Sequence, residues 1–468
     1  MKKILSKLDF SYAFAFLGEA TLALTFIFYI LIARILGPEE YGVFAGAIAL
    51  AAILSLFIQF GLPVFANREV AARPEQSTQS IALFLVVEGL TSLGVLVALL
   101  PLALVLGYRE GALIICYLAV LAEVGRAMLM TLRGAIKGLG WFRAESIAVA
   151  LERFTFVGLG ILALLITQNL ILVIAAIVVV RAFYIAAILI YLRQRVKIAA
   201  AINWTKIKDT LQSAYPFAIA GVLWILYYQV DVVMLKSLST EAETGFYSAS
   251  YRTLEMFSAL PRVVFYVIFT RLSKYQVSAP ERLPEQLYKA ARLLILLVIP
   301  SIAIAGLVQT QLVTLLYGSE FLASVKSLSI LLPSLAVKVF GTVAEQFLQA
   351  TGNERKVPKI LTAAATANIA INALLIPQFA SVGAATATLL SECIMATLGL
   401  RILGQIGYGK ASFNLMIMTL LSFGLASLPT AIFYGLSPLW AIAIALPSVA
   451  LLLYRLKPKY FTQPTAVG

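Results

Sequence analysis

Acids and arginines set inside membrane-length apolar runs are the residues of this chain with chemistry to do. The run from Pro216 to Leu238 is long enough, at about 1.5 Å per residue, to cross a ~30 Å hydrocarbon layer, yet it carries Asp231. The next run, from Gly245 to Leu272, carries Arg252, Glu255 and Arg262. A charge at the centre of a lipid-facing helix costs at least ~2.5 to 3.5 kcal/mol, so such groups turn toward a protein interior or a wet cavity. Trp224, Tyr228 and Asp231 follow at i, i+4 and i+7, on a stripe about 100° wide, with Tyr227 one position off it. Aromatic residues normally gather at the ends of a spanning helix, whereas these sit in its body beside the acid, as on a cavity-lining face. A packed helix contact with one hydrogen-bonded acid is the alternative.

The same pattern recurs along the chain. Arg126, Arg153, Arg181 and Lys338 also fall inside apolar runs, as do Glu19, Glu88, Glu123, Glu152, Glu345 and Glu392. Glu123 with Arg126, and Arg252 with Glu255, are spaced to pair along one helix face, and Lys338 shares a face with Glu345 two turns away. Any one such pair reads equally well as an internal staple. Taken together, so many charges in both halves point to a polar interior able to hold water and an ionic substrate.

The elements that must position these groups are helices. With 61% hydrophobic and only 12% charged residues, the chain is an all-α polytopic membrane protein, and its continuous apolar runs exclude the short alternating segments of a β-barrel. Histidine is absent, which removes imidazole acid–base chemistry and imidazole metal ligation. Cys116 and Cys393 lie far apart in apolar runs and read as small buried hydrophobes. The basic start MKKILSKLDF leads into an apolar run reaching Leu36 without a small-residue cleavage pattern, the mark of a first spanning helix rather than a signal peptide.

About fourteen spans follow: 11–36, 42–63, 79–106, 111–132, 144–166, 169–192, 214–238, 245–270, 288–308, 326–350, 357–377, 382–402, 412–434 and 437–455. The net charge of +14 is distributed by topology, which argues against nucleic acid as a partner. With residues at the span ends counted in the adjoining connections, Lys and Arg crowd the amino terminus, the even-numbered connections and the tail, while the odd connections hold only Arg34, Arg109, Lys236 and Lys326. The positive-inside rule then makes both termini cytoplasmic. The longest connection, 193–212, is basic and amphipathic, suited either to the anionic cytoplasmic leaflet or to service as a solvated linker.

An internal repeat is visible at two turns. Glu40-Tyr41-Gly42-Val43-Phe44 after the first span is echoed by Glu243-Thr244-Gly245-Phe246-Tyr247 after the seventh, and Gly140-Trp141-Phe142-Arg143 after the fourth by Gly352-Asn353-Glu354-Arg355 after the tenth. An offset of an even number of spans keeps both units in one orientation. The expected organisation is two six-helix lobes in parallel repeat, 1–192 and 213–402, joined by the linker 193–212, with a site between them and 403–468 holding two further helices and a tail.

ARILGPEEYGVF (33–44), FGLPVFANREVA (60–71), the Asp231 helix followed by GFYSASYRTLE (245–255), LLYGSEF (315–321) and NALLIPQFASVGAATATLLSE (372–392) resemble the Wzx-type polysaccharide (O-antigen) flippases. These belong to the multidrug/oligosaccharidyl-lipid/polysaccharide (MOP) exporter superfamily, with the lipid II flippases and the MATE drug exporters. The resemblance covers the first twelve spans. It implies a V-shaped transporter that moves an undecaprenyl-pyrophosphate-linked oligosaccharide from the cytoplasmic to the outer leaflet of the inner membrane by alternating access, with no catalytic residue and no bond made or broken. A pyrophosphate suits the planar fork of arginine. Arg126, Arg153, Arg181, Arg252 and Arg262 become the headgroup candidates, with Lys338 behind them, and Trp224, Tyr227 and Tyr228 the glycan contacts.

Coupling to Na⁺ or H⁺ is expected, with no other cofactor or metal. Asn368 and Asn372 lie one turn apart, as do Ala384 and Thr388, and depth counting brings Asn372 and Thr388 level with Asp231. An aspartate, two amide oxygens, a hydroxyl and the Ala384 carbonyl would form an oxygen cage, and the lipid II flippases use the equivalent helices for a cation. Here Asn372 stands where a second acid is expected, which leaves Asp231 as an alternative proton carrier and helix packing as the plain role of the asparagines. The expected partners are the lipid-linked oligosaccharide, membrane lipids and the polymerases or glycosyltransferases of glycan assembly, around a monomer. A cation-coupled multidrug exporter, a lipid II flippase and a glycan-polymerising membrane enzyme are the competing readings; the short odd connections speak against the enzyme.

Overall fold

The computed structural model describes residues 10–194 and 203–432, and every regular element among them is helical. The helices are α1 (Phe10–Gln59), α2 (Leu62–Ala72), α3 (Ser77–Val105), α4 (Glu110–Gly138), α5 (Phe142–Thr167), α6 (Leu170–Arg193), α7 (Trp204–Leu238), α8 (Glu241–Ser278), α9 (Leu283–Leu307), α10 (Gln309–Tyr317), α11 (Ser324–Ala350), α12 (Val357–Leu403) and α13 (Gly409–Ile432). The all-α polytopic fold is as expected. Eight segments among the described residues are long and apolar enough to cross a membrane. Each expected span through 412–434 falls on a described helix, and 437–455 lies outside the described residues.

Local chemistry sets the breaks. α1 joins two expected spans through Gly37, whose φ of 80° interrupts the helix just before Pro38. α12 does the same at Ala380, with φ 46°, three residues after Pro377. Asn169 caps α6 by accepting from the backbone N–H groups of Ile171 and Leu172, and Thr240 caps α8 through Glu243 N–H. The short α2, most of which the expected spans leave in the connection after 42–63, buries Leu62, Phe65, Ala66 and Val70 on one helical face.

The chain divides into two compact units, Met1–Ser237 and Leu238–Gly468. The boundary falls at the end of α7, whereas the repeat-based lobes are separated at 193–212. Packing explains why α7 counts with the first unit. Its Ile207 and Ala214 join a core of Phe65, Phe84, Leu132, Ile136 and Leu192, Arg68 lies 5.2 Å from the centre of the Phe217 ring, and Lys236 lies 4.9 Å from that of Tyr108. The approach is closest at Gly61, with φ 76°, where an added Cβ would stand 2.6 Å from the Ala214 carbonyl oxygen and 2.7 Å from the Ala218 nitrogen. Two properties of glycine are needed there at once: a left-handed backbone and no side chain. In the second unit α11 is the central element, buried along most of its length against α8, α9, α12 and α13.

Gly61→Val will lower the thermal unfolding temperature of the purified protein in detergent, the overpacking alone being worth about 1–3 kcal/mol. An unchanged temperature would overturn the docking of α7 on this turn.

Candidate functional site

In the first unit the intramembrane charges converge. Glu123 on α4 is the hub: its Oε2 accepts from Arg126 Nε at 2.6 Å, and its Oε1 accepts from the Arg181 guanidinium of α6 at 3.4 Å. Arg181 also donates to the Ala122 carbonyl and lies 3.8 Å from Glu152 of α5, which is ion-pair distance without a hydrogen bond. Arg126 reaches across to α1, donating to Ser55 Oγ at 3.3 Å, and contacts Met130 Sδ at 3.1 Å. Gly125 makes room for this: a Cβ there would meet Arg181 Cβ at 2.9 Å. Four helices therefore meet at two guanidinium groups and two carboxylates. The Arg126 side chain is 34% exposed and that of Arg181 12%, so Arg126 is the more open to a ligand.

Towards the Gly140 turn a second group gathers, with Arg133 and Lys137 at 3.0 and 3.3 Å from Glu145 Oε1. Asp231 and Tyr227 on α7 are both buried, Tyr228 is half-buried, and the two tyrosine rings meet edge to face with centroids 5.5 Å apart. Arg153 on α5 is half-buried. The side chain of Trp224 lies outside the described residues, as does that of Arg262 in the second unit.

The second unit holds the remaining expected residues. Arg252 pairs along α8 with Glu255 at 2.8 Å, and both are substantially exposed. Lys338 on α11 lies 3.5 Å from Glu392 of α12, while Glu345 accepts from Gln349 at 2.8 Å. The lysine thus reaches an acid on another helix rather than its own-face neighbour. Asn368, Asn372, Ala384 and Thr388 are all buried on α12. Asn372 Nδ2 donates to Asn368 Oδ1 at 2.9 Å, and the Thr388 hydroxyl donates to the Ala384 carbonyl at 3.0 Å and lies 2.9 Å from the Tyr247 hydroxyl of α8. Asp231 belongs to the first unit and these four to the second. Among the described residues no cluster of three or more His, Cys, Asp or Glu could hold a metal ion.

Pattern reading misses the cross-helix partners. Glu152 and Glu392 are visible as in-span acids, but their cation partners, and the roles of Ser55 and Tyr247, emerge only in three dimensions. One usable signal is the repeat: Gln168 and Ala380, both left-handed, follow Gly140 and Gly352 at the same interval, and Arg126 and Lys338 precede those glycines at the same interval. Each unit therefore places a cation at the same point of equivalent helices. Arg181→Gln would take the cation from Glu152 and leave Glu123 with Arg126 alone, a loss of about 3–5 kcal/mol for a broken buried pair. Arg252→Gln removes an exposed pair worth about 0–1 kcal/mol. Thermal unfolding of both variants in one detergent should show a large drop for the first and almost none for the second; equal drops would overturn the hub role of Arg181.

The profile of the family described as "Polysaccharide biosynthesis protein" matches residues 15–276. Among curated proteins the chain is similar to "Probable flippase AglR" of Haloferax volcanii, 29% identical over 186 residues, a match that spans 38% of this chain and 38% of that relative. Among solved structures the fold is similar to the lipid II flippase MurJ in an inward closed conformation, with a TM-score of 0.70 at 15% identity over 95% of this chain and 98% of that one. It is also similar to an inward-facing multidrug resistance MATE family transporter of the MOP superfamily, with a TM-score of 0.61 at 15% identity over 85% and 95% of the two chains. A multi-pass chain with this fold and this profile match belongs to the polysaccharide biosynthesis protein family and has the architecture of the MOP superfamily transporters.

Proposed function

We propose that the protein is a flippase that carries an undecaprenyl-pyrophosphate-linked oligosaccharide from the cytoplasmic to the outer leaflet by alternating access. The observation that carries this reading is the pair of guanidinium groups, Arg126 and Arg181, set among membrane-spanning helices of a polysaccharide-biosynthesis family member. A diphosphate is the anion that competes best for such groups, since two phosphoryl groups accept several charge-assisted hydrogen bonds at once. Arg126 is the natural first contact, because one of its donors is spent only on a neutral hydroxyl, that of Ser55. Arg153, Arg252, Arg262 and Lys338 extend the cationic set, and Trp224, Tyr227 and Tyr228 offer faces to the sugars. The isoprenoid tail stays in the bilayer while the headgroup crosses.

The cycle requires a driving ion. Asp231 with Asn368, Asn372, Ala384 and Thr388 is the assignment we propose for Na⁺ or H⁺. The hydrogen bonds that Asn372 and Thr388 already make would have to open for Na⁺ to enter.

The fold is shared with lipid II flippases and with exporters of small drugs. The arginines favour an anionic cargo, since a pocket for cationic drugs gains nothing from buried guanidinium groups. Deleting the gene in its host and analysing extracted lipids by mass spectrometry should reveal an accumulated undecaprenyl-pyrophosphate oligosaccharide and loss of the mature surface glycan. Arg126→Gln and Arg252→Gln should reproduce that accumulation at normal expression. An unchanged lipid pool with sensitivity to toxic cations would transfer the assignment to drug export.

A further inference from the structure

We propose that Glu88 is a proton-binding site of the first unit, held as a neutral carboxylic acid between α1, α3 and α4 and exchanging its proton during the transport cycle. The inference deepens the flippase reading and rests on it only for the use to which the proton is put.

Glu88 lies on α3, fully buried at 0% exposure, next to the core residues Phe84 and Val87. Its Oε1 accepts from the Thr131 hydroxyl of α4 at 3.1 Å, and its Oε2, also buried, has no hydrogen-bond partner among the described residues. What sets this acid apart from the paired acids of α4 and α5 is the cation it lacks. Glu123 has Arg126 and Arg181, Glu152 has Arg181, and Glu145 has Arg133 and Lys137. On the helices packed against α3, the charged groups are engaged elsewhere. Those of α4 form the pairs just named, Arg73 of α2 pairs with Glu69, and Arg68 of α2 lies over the rings of Phe65 and Phe217. From α1 the described contact to this stretch is polar but uncharged: the Ile58 carbonyl accepts from Thr91. No Lys or Arg among the described residues comes within 4.0 Å of the Glu88 carboxylate.

A carboxylate in such a place costs several kcal/mol to take out of water, with only the Thr131 hydroxyl to offset it, whereas the acid form leaves at most one hydroxyl donor unused, about 1–3 kcal/mol. The acid form is therefore the stable one while the three helices stay closed. The surroundings also supply a way for that balance to change. The Thr91 and Ser92 hydroxyls donate to the Glu88 carbonyl at 3.0 and 2.6 Å, and Thr91 also reaches Ile58 at 2.8 Å; one turn earlier on α1, Ser55 receives Arg126. The polar contacts of α1 at Ile58 and Ser55 thus stand one turn apart, the first facing the turn of Glu88 and the second the guanidinium cluster. If the α1–α3–α4 contact opens, water or Arg126 can reach the carboxyl and the proton can leave. An ionised Glu88 would then compete with an anionic headgroup for the same arginines, which ties proton occupancy to substrate occupancy.

Infrared difference spectra of the purified full-length protein between acid and alkaline pH test this without any substrate. The wild type should show the carbonyl band of a protonated carboxylic acid persisting at neutral pH. Glu88→Gln should lose that band, Glu345→Gln should retain it, and Thr131→Val, which removes the one hydrogen bond, should shift it to higher frequency. No such band in the wild type, or a band intact in Glu88→Gln, would overturn the site. Surface-glycan export in the deletion strain then tests its use: loss of export with Glu88→Gln at normal expression supports proton exchange in the cycle, and full export overturns it. If the deletion itself causes no lipid accumulation, the flippase reading fails while the infrared result still decides the proton site.

Discussion

A buried charge must find its counter-charge inside the protein when the surrounding medium is hydrocarbon, and in the first unit that requirement falls on Glu123. One carboxylate receives Arg126 from its own helix and Arg181 from α6, and Arg181 in turn approaches Glu152 of α5. The desolvation cost of four ionised groups is offset only while all four stay within reach of one another. The same interactions therefore hold α4, α5 and α6 together and set two guanidinium groups beside two carboxylates.

The second unit meets the same requirement with other residues. The cation that stands at the position of Arg126 relative to the turn glycine is Lys338, and its acid, Glu392, comes from α12 rather than from its own helix. Arginine offers a planar fork that can serve a carboxylate and a phosphate together; lysine is a compact point charge that suits one acid at a time. Equivalent places in the repeat thus carry unequal chemistry. The second unit also holds the buried polar network of Asn368, Asn372, Thr388 and Tyr247.

Glycine has a comparable part in the geometry. Gly61 lets α7 come within contact of the α1–α2 turn, and Gly125 lets the Arg181 side chain lie across α4. A side chain at Gly125 would push Arg181 away from α4, and one at Gly61 would push α7 away from the turn. Small residues at helix crossings are the general solution where apolar lipid provides little force to drive helices together.

The helices, their approximate ends and the membrane setting were legible in the amino-acid sequence, because apolar runs of a given length and Pro, Gly and Asn at their ends act through the backbone alone. So was the placement of Arg126, Glu123, Arg252 and Glu255, since i, i+3 spacing is a property of one helix. Other features depend on how helices pack, which no local pattern encodes. They include the reach of Arg181 to Glu123 and Glu152, the choice of Glu392 over Glu345 by Lys338, the hydroxyl contact of Tyr247 with Thr388, and the attachment of α7 to the first unit through Gly61 and Phe217. Glu88 shows the division most clearly. From the sequence it is one in-span acid among several; only the tertiary structure surrounds it with apolar side chains and one threonine hydroxyl and leaves every described cation out of its reach.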